Sequence, residues 1–304
     1  MLGLLNPLKW PVWPAMWACL SALTARIRLL FSRPSPPVGS ITLKNILCID
    51  VEDDEASYRV RKRSRVVYVY LLGPDIIPRD FQYGYMLWES LQKLPKWDEE
   101  WTSLTVRKTP HGIESTLDET PPHGLDLKQL DIPDSMAFIE HSDLTILTGI
   151  GERLFRVLCG GESLLLKVAP FPFELRYLTT EVSTYMKLAA SGFPLAPKFY
   201  GLVYEGTRDR VTGFLMEIIR GRYPTMEDLG ECEKALHMLH EYGFIHKDIN
   251  KFNFFITDHG VRILDFETAV LKSDADPGAA DAEMKSLPTI IQEQLTFRGP
   301  WEFC

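Results

Sequence analysis

Two short stretches near the end of the chain decide the fold: HKDINKFN (residues 246–253) and LDFE (residues 264–267). The first matches the pattern H-x-D-x-x-x-x-N, which places Asp248 and Asn253 five positions apart in a polar loop. A predicted strand, turn and second strand separate this loop from Asp265. Because such a hairpin returns the chain to the edge where it began, the sequence predicts that these three polar side chains meet at one edge of a cleft.

Upstream of the loop, the predicted elements follow one order: three strands, a helix, two strands and a second helix. They are strands at 144–148, 154–158, 163–168, 199–204 and 212–218, and helices at 179–190 and 226–242. Gly243 is placed to end the second helix. This α+β order resembles a compact bilobal protein-kinase-like fold with a short C-terminal lobe.

The residues of both motifs carry a resemblance to kinase-like enzymes. HKDINKFN resembles their catalytic loop, and its DINKFN portion is most similar to that of the RIO-type atypical kinases. LDFE occupies the place of the D-F-G motif and also resembles aminoglycoside phosphotransferases. The overall layout is similar to uncharacterised kinase-like proteins of fungal type. The resemblance covers about 170 residues, and it implies that the chain uses ATP and Mg²⁺.

The resemblance also implies roles for five residues. Asp248 is expected to orient the acceptor hydroxyl, and Asn253 and Asp265 to hold Mg²⁺ with their hard oxygen atoms. Lys167, in the predicted strand LLLKV, is expected to hold the α- and β-phosphates of ATP. Glu181, on the following helix, is expected to form an ion pair with Lys167. Each residue type is common by itself, and the signal is the ordered set.

Two further segments are predicted to contact ATP. Gly149 and Gly151 offer a G-x-G pattern that either covers the phosphates or makes a hairpin turn. ATP is expected to lie under residues 149–152 and against residues 217–221. Glu217 stands at the position of the hinge between the lobes in the family that the chain resembles.

The sequence also departs from the kinase pattern. Leu154 occupies the third glycine position, Glu267 replaces the glycine of D-F-G, and no A-P-E motif appears. Only 39 residues follow Asp265, so no conventional peptide-docking lobe is expected. A closing helix is predicted at 279–295, which Pro288 breaks or starts in part. Two functions therefore remain open: an active phosphotransferase, whose acceptor is a protein or a small molecule, and a pseudokinase that binds nucleotide or a partner without catalysis.

The sequence predicts three parts. They are a leader or targeting segment at 1–39, a β-rich extension at 40–134 and a kinase-like domain at 135–304, with a small lobe at about 135–218 and a C-terminal lobe at about 222–304. Within the extension, the predicted elements are strands at 66–72, 101–107 and 112–117 and a helix at 81–94. No chemistry is predicted for the extension, which is expected to pack against a neighbouring lobe.

Charge and cysteine content limit the partners. The formal net charge of -8 argues against a phosphate-backbone binder, so no nucleic acid is expected. Residues 59–65 hold five Lys or Arg among seven, which predicts a solvated strand end or turn. The five cysteines are scattered without a C-x-x-C pair, which favours reduced thiols and an intracellular, cytoplasmic location.

The first 49 residues contain no Asp or Glu. An uncharged, tryptophan-rich run between Lys9 and Arg26 is too short to span a bilayer and is interrupted by Pro11 and Pro14. Three interpretations remain open: a targeting segment, an interfacial membrane hook and a disordered leader. Association with a membrane or an organelle through residues 1–33 is therefore the alternative to a cytoplasmic location.

Overall fold

The computed structural model describes residues 45–151 and 153–292. The predicted leader, Glu152 and the last residues of the predicted closing helix lie outside the described residues. Within those ranges the chain is a mixed α+β protein with fifteen strands in four sheets and four α-helices. No helix in the described part of the chain has the length and apolar character to cross a bilayer.

The first sheet has five strands in the order β1-β2-β3-β4-β5. Its members are β1 (Ile46–Val51), β2 (Glu55–Lys62), β3 (Arg65–Leu72), β4 (Ser103–Thr109) and β5 (Gly112–Leu117). The β3–β4 pair is parallel and the other pairs are antiparallel. The β3–β4 crossover carries helix α1 (Tyr85–Gln92), whose Leu87 and Leu91 are buried against the sheet.

Strand β2 carries part of the basic stretch at 59–65 into the protein interior. Successive side chains of a strand point to opposite faces. Tyr58 and Val60 pack on the α1 side, whereas Arg59 between them points to the other face and is only 2% exposed. The interpretation of residues 59–65 as wholly solvated is therefore wrong for Arg59. The reason is a distant carboxylate, Glu205, which pairs with this guanidinium.

The second sheet has six strands in the order β6-β10-β11-β9-β8-β7. Its members are β6 (Phe138–Glu140), β7 (Thr145–Gly149), β8 (Leu154–Cys159), β9 (Glu162–Val168), β10 (Phe199–Tyr204) and β11 (Val211–Met216). Helix α2 (Leu175–Ser191) packs on one face and ends at Gly192, whose φ of 74° suits a glycine C-cap.

The remaining residues form two helices and two small hairpin-like sheets. They are α3 (Leu229–Glu241), β12 (Phe244–Ile245), β13 (Phe254–Thr257), β14 (Gly260–Ile263), β15 (Val270–Leu271) and α4 (Ala279–Gln292). One buried apolar cluster joins α2, the second sheet, α3 and α4. Helix α4 continues through Pro288. The expectation that Pro288 breaks or starts part of this helix is therefore wrong within the described residues, because Leu287 and Ile291 on either side are anchored in the core.

Most predicted elements are present with boundaries shifted by a few residues. The predicted helix at 81–94 is shorter, because residues 79–81 form a separate 3-10 turn. The sequence prediction omits β1, β2, β6, β12 and β15. Strand β2 reads EASYRVRK, and its charged positions hide the alternation of buried residues. Strand β6 has only three residues, and its partners on β10 are 64 positions away.

Candidate functional site

Lys167 is the second-last residue of strand β9, in the buried part of that strand. Along β9, Leu164, Leu166 and Val168 pack on one face of the second sheet. Lys167 shares the opposite face with Leu165, because alternate residues of a strand share a face. The lysine is only 7% exposed, and a buried ammonium group is stable only beside compensating charge.

Three carboxylates supply that charge. Lys167 Nζ lies 2.8 Å from Glu181 Oε2, 2.9 Å from Asp265 Oδ1 and 3.1 Å from Glu267 Oε1. Glu181 follows Leu178 by three positions on α2 and precedes Tyr185 by four, so it lies on the buried face of that helix. The predicted ion pair between Lys167 and Glu181 is present.

Arg153 extends the group. Its Nη1 lies 2.8 Å from Glu267 Oε1, its Nε lies 3.1 Å from Glu174 Oε1, and Nε also donates to the carbonyl of Val168 at 3.0 Å. We call the six charged residues the Lys167 cluster: Lys167, Arg153, Glu174, Glu181, Asp265 and Glu267. Four carboxylates thus face two cations, so the cluster carries excess negative charge.

This excess charge shifts the acid–base equilibria of the cluster. Burial raises the pKa of Glu181, and the neighbouring carboxylates Asp265 and Glu267 raise it further, while Lys167 opposes the shift. Burial likewise raises the pKa of Glu174 to about 7, against the effect of Arg153. For Asp265 the ammonium of Lys167 outweighs burial and holds the pKa below its usual value. Asp265 therefore keeps its charge more firmly than Glu181 or Glu174 does.

The polar loop presents a second pair of predicted residues. Asp248 is exposed, and its Oδ2 accepts a hydrogen bond from Asn250 Nδ2 at 3.2 Å. Asn253 is 3% exposed, and its Nδ2 donates to the carbonyl of Asp248 at 2.9 Å. No described residue donates to Asn253 Oδ1. The loop therefore holds a carboxylate and an amide oxygen side by side.

Backbone contacts join this loop to the Lys167 cluster. The amide of Leu264 donates to the carbonyl of Asn253 at 2.9 Å, and His246 Nε2 donates to the carbonyl of Leu264 at 3.0 Å. Asp265, the next residue, has a φ of 63°, in a region that non-glycine residues seldom occupy. With this backbone geometry the Asp265 side chain contacts Lys167, while Asn253 lies in the 3-10 turn that precedes β13.

The Glu283 carboxylate on α4 binds the backbone of the polar loop. It accepts hydrogen bonds from the amides of Lys247 at 2.6 Å and His246 at 3.3 Å, and from His240 Nε2 at 2.7 Å. Burial raises the pKa of Glu283, but these donors outweigh it and hold the pKa below its usual value. Lys247 has a φ of 67°. The Glu283 carboxylate thus stabilises a strained loop backbone.

The other predicted ATP contacts lie apart from these groups. Gly149 ends β7, and the amides of Ile150 and Gly151 donate to the carbonyl of Leu154, which closes the β7–β8 turn. The Glu217 side chain accepts from the Lys198 amide and from Arg262, and does not join the Lys167 cluster. The phosphate-covering role of the glycines and the hinge role of Glu217 stay predictions.

Sequence reasoning missed three of these residues. Arg153 and Glu174 lie in a turn and at the start of a helix, where charged residues are ordinary. Glu283 lies on a helix with no motif around it. Glu267 is visible in the sequence only as a departure from the glycine of D-F-G, and the structure gives this departure a partner in both Lys167 and Arg153.

Three carboxylates of the Lys167 cluster are close enough together to be considered as metal ligands. One carboxylate oxygen from each of Glu181, Asp265 and Glu267 lies within 4.8 Å of the others. Asn253 lies in a 3-10 turn just before β13, and the cluster has more carboxylates than cations. Hard oxygen donors with net negative charge are what Mg²⁺ prefers. All three carboxylate side chains also contact Lys167 Nζ, and the Mg²⁺ roles of Asn253 and Asp265 stay predictions.

Comparison with known proteins identifies no relative. No protein-family model matches the chain, and no curated protein matches it significantly.

Proposed function

We propose that the chain is an ATP- and Mg²⁺-dependent phosphotransferase with a bilobal, kinase-like arrangement. In this proposal the second sheet with α2 forms the small lobe, and the residues from α3 onward form a short C-terminal lobe. The observation that carries the proposal is the contact of Lys167 Nζ with both Glu181 and Asp265, at 2.8 and 2.9 Å. A lysine held between a helix glutamate and a loop aspartate is the arrangement that phosphoryl transfer uses to hold phosphate oxygens.

The residues divide the chemistry between them. Lys167 would hold phosphate oxygens, and Asp265 with Asn253 would hold Mg²⁺, which neutralises phosphate charge when bound. Asp248 would accept the proton of the acceptor hydroxyl, whose oxygen forms the new bond to the γ-phosphorus as the bond to the leaving ADP oxygen breaks. The exposed position of Asp248 leaves room for an acceptor, which we propose is a protein or a small molecule.

A specific observation favours the pseudokinase as the second candidate. Lys167 has three carboxylate partners, one of which, Glu267, is also held by Arg153. Phosphate groups must compete with these carboxylates for the ammonium of Lys167. If Glu267 does not yield, the chain binds nucleotide weakly or binds a protein partner without catalysis.

Nucleotide binding is the first test. Thermal unfolding of the purified protein is measured with ATP, with and without Mg²⁺. At 100 times the dissociation constant, a ligand adds about 2.7 kcal/mol to stability, which corresponds to a rise of roughly 5–10 °C for a domain of this size. Asp265→Asn should reduce the Mg²⁺-dependent part of the shift, because it removes a charged metal ligand. No shift at millimolar Mg²⁺-ATP would refute the nucleotide site.

Transfer is the second test, with ³²P-labelled ATP and autophosphorylation or ATP hydrolysis as readouts. Asp248→Asn should keep the thermal shift but slow transfer by ~10²-fold or more. Asp258→Asn is the matched control. Asp258 is an exposed aspartate in the turn between β13 and β14, and it belongs neither to the polar loop nor to the Lys167 cluster. Full activity in Asp248→Asn would contradict the assigned role. Nucleotide binding without transfer to any acceptor would favour the pseudokinase.

A further inference from the structure

A polar cleft lies between the first and second sheets, away from the Lys167 cluster. Its volume is about 560 Å³, within the usual range for small-molecule sites. Its walls come from the β2–β3 turn, the segment that follows β6 and the β10–β11 turn. The lining side chains include three arginines, one histidine and four hydroxyl groups: Arg61, Arg65, Arg210, His141, Ser64, Thr102, Ser142 and Thr207.

A buried ion-pair network holds the two walls together. The Arg59 guanidinium contacts Glu205, which is 3% exposed, through Nε at 3.0 Å and through a second, shorter contact from Nη2. Arg210 Nη2 lies 3.1 Å from Glu205 Oε2, and the Tyr68 hydroxyl donates to the same oxygen at 2.8 Å. These contacts neutralise Glu205. The second acid in the lining, Glu140, accepts the amide of Gly206.

Two basic groups of the cleft have no partner. Arg61 follows Arg59 by two positions on β2, so it lies on the same face of the first sheet. Its guanidinium makes no ion pair or hydrogen bond within the described residues. His141 is 95% buried and lines the cleft, and its ring likewise makes no hydrogen bond with a described residue. The His141 ring is therefore available to a ligand that enters the cleft.

The free groups match one ligand chemistry. Guanidinium groups present a planar fork of donors that suits the oxygens of phosphate. Arg65, whose Nη2 donates weakly to Thr102 Oγ1 at 3.3 Å, lies at the same mouth as Arg61. Serine and threonine hydroxyls and a neutral imidazole N–H add donors for further phosphate oxygens. The lining does not favour a cation, because its two carboxylates already have partners: Glu205 pairs with arginines and Glu140 accepts the Gly206 amide.

We infer that this cleft is a binding site for a small, soluble phosphate-bearing molecule, held by Arg61, Arg65 and His141. The site is separate from the proposed phosphotransferase centre and does not depend on that proposal. It gives a role to the basic stretch at 59–65, which the phosphotransferase function leaves unused. Arg59 is a structural residue of the wall, whereas Arg61 and Arg65 contact the ligand.

The test uses inorganic pyrophosphate as the probe, with isothermal titration calorimetry on the full chain in EDTA, so that no metal bridges the probe to the Lys167 cluster. The Arg61→Gln/Arg65→Gln variant should bind pyrophosphate at least ~10-fold more weakly, since it loses two charge-assisted contacts. Arg63→Gln is the matched control. Arg63 lies in the same turn, is 70% exposed and is absent from the lining, so this variant should bind like the wild type.

Histidine-ring NMR adds a readout at the site. Pyrophosphate should shift the ring resonances of His141, assigned from their loss in His141→Gln, and the shift should vanish in Arg61→Gln/Arg65→Gln. Two results would overturn the inference: no pyrophosphate binding by the wild type at millimolar concentration, or equal binding by the double variant. A third result would assign the cleft to a lipid headgroup and overturn the soluble-ligand assignment. In that case the protein does not bind pyrophosphate, but it sediments with phosphatidic acid vesicles and the Arg61→Gln/Arg65→Gln variant does not.

Discussion

The buried pair between Arg59 and Glu205 gives the sharpest test of how the two sheets are held together. The Arg59 residue is 2% exposed and Glu205 is 3% exposed. Glu205 also pairs with Arg210. The variant Glu205→Gln keeps the side-chain volume but removes the only charge that balances two arginines within the described part of the network. Arg59→Met instead leaves Glu205 with Arg210 and the Tyr68 hydroxyl.

The magnitudes follow from this asymmetry. Breaking a buried pair by removing one partner costs about 3–5 kcal/mol, because the other charge stays buried without compensation. Glu205→Gln should lie at the upper end of that range, and Arg59→Met should cost less. The double variant should cost less than the sum of the single changes, with a coupling of about 1 kcal/mol or more. For a domain of this size, 3–5 kcal/mol lowers Tm by roughly 6–20 °C.

Urea unfolding followed by tryptophan fluorescence measures these differences. The first sheet carries Trp88, Trp97 and Trp101 against its core, so the signal reports on that unit. Glu100→Gln is the control, because the Arg63–Glu100 pair is exposed on both sides and such pairs contribute little. An unchanged urea midpoint for Glu205→Gln, or single changes that add without coupling, would refute the reasoning.

The same pair predicts an acid dependence. Burial raises the pKa of Glu205, but Arg59 and Arg210 outweigh it and lower the pKa to about 2. An unfolded glutamate titrates near ~4.3. Because the folded pKa is depressed, the stabilisation is complete above the unfolded pKa and is lost as the pH falls from about 4.3 toward 2. The stability difference between wild type and Glu205→Gln should therefore narrow between pH 5 and pH 3, and a constant difference would contradict the assignment.

Three further outcomes are expected. Glu283→Gln weakens the charge-assisted bond to the Lys247 amide, so the free energy of unfolding measured in urea should fall by about 1–3 kcal/mol. Any transfer activity should change in kcat more than in KM, and an unchanged kcat would exclude a positioning role. Burial lowers the pKa of His123 to about 4. The contribution of neutral His123 to stability is therefore complete above the unfolded pKa of ~6.5 and is lost as the pH falls toward 4. In His123→Gln the free energy of unfolding should vary less with pH over this range. Pro288→Ala restores a backbone donor inside α4 and should raise the free energy of unfolding in urea by about 1 kcal/mol or more; a lower value would mean that the proline ring packs specifically.

The local elements near the site follow from sequence alone for physical reasons. Strands β5 and β10 have the predicted boundaries, because β-branched and aromatic residues between turn signals leave few alternatives. Helix α3 was indicated by its apolar spacing. The strand that bears Lys167 and the helix that bears Glu181 were predicted in the same way, so their pairing followed from the order of the elements.

Other features could not be predicted, because they depend on contacts between distant segments. Arg59 and Glu205 are 146 positions apart, and Glu283 meets the amide of Lys247 from a helix 36 positions away. Nothing in the local sequence distinguishes these charges from solvated ones. The same holds for Arg153, whose guanidinium joins Glu174 to Glu267 only after β8 and the LDFE segment come together.

The sequence by itself determined which polar residues occur on each predicted strand, helix and hairpin. Spacing within such an element sets which side chains share an edge. Tertiary structure alone decided which charges are buried and what they pair with. Burial removes water from a charge, and only a partner brought by the fold restores the lost solvation. For this reason Glu267, a departure in the sequence, became a partner of Lys167, and the basic stretch at 59–65 became one wall of a cleft.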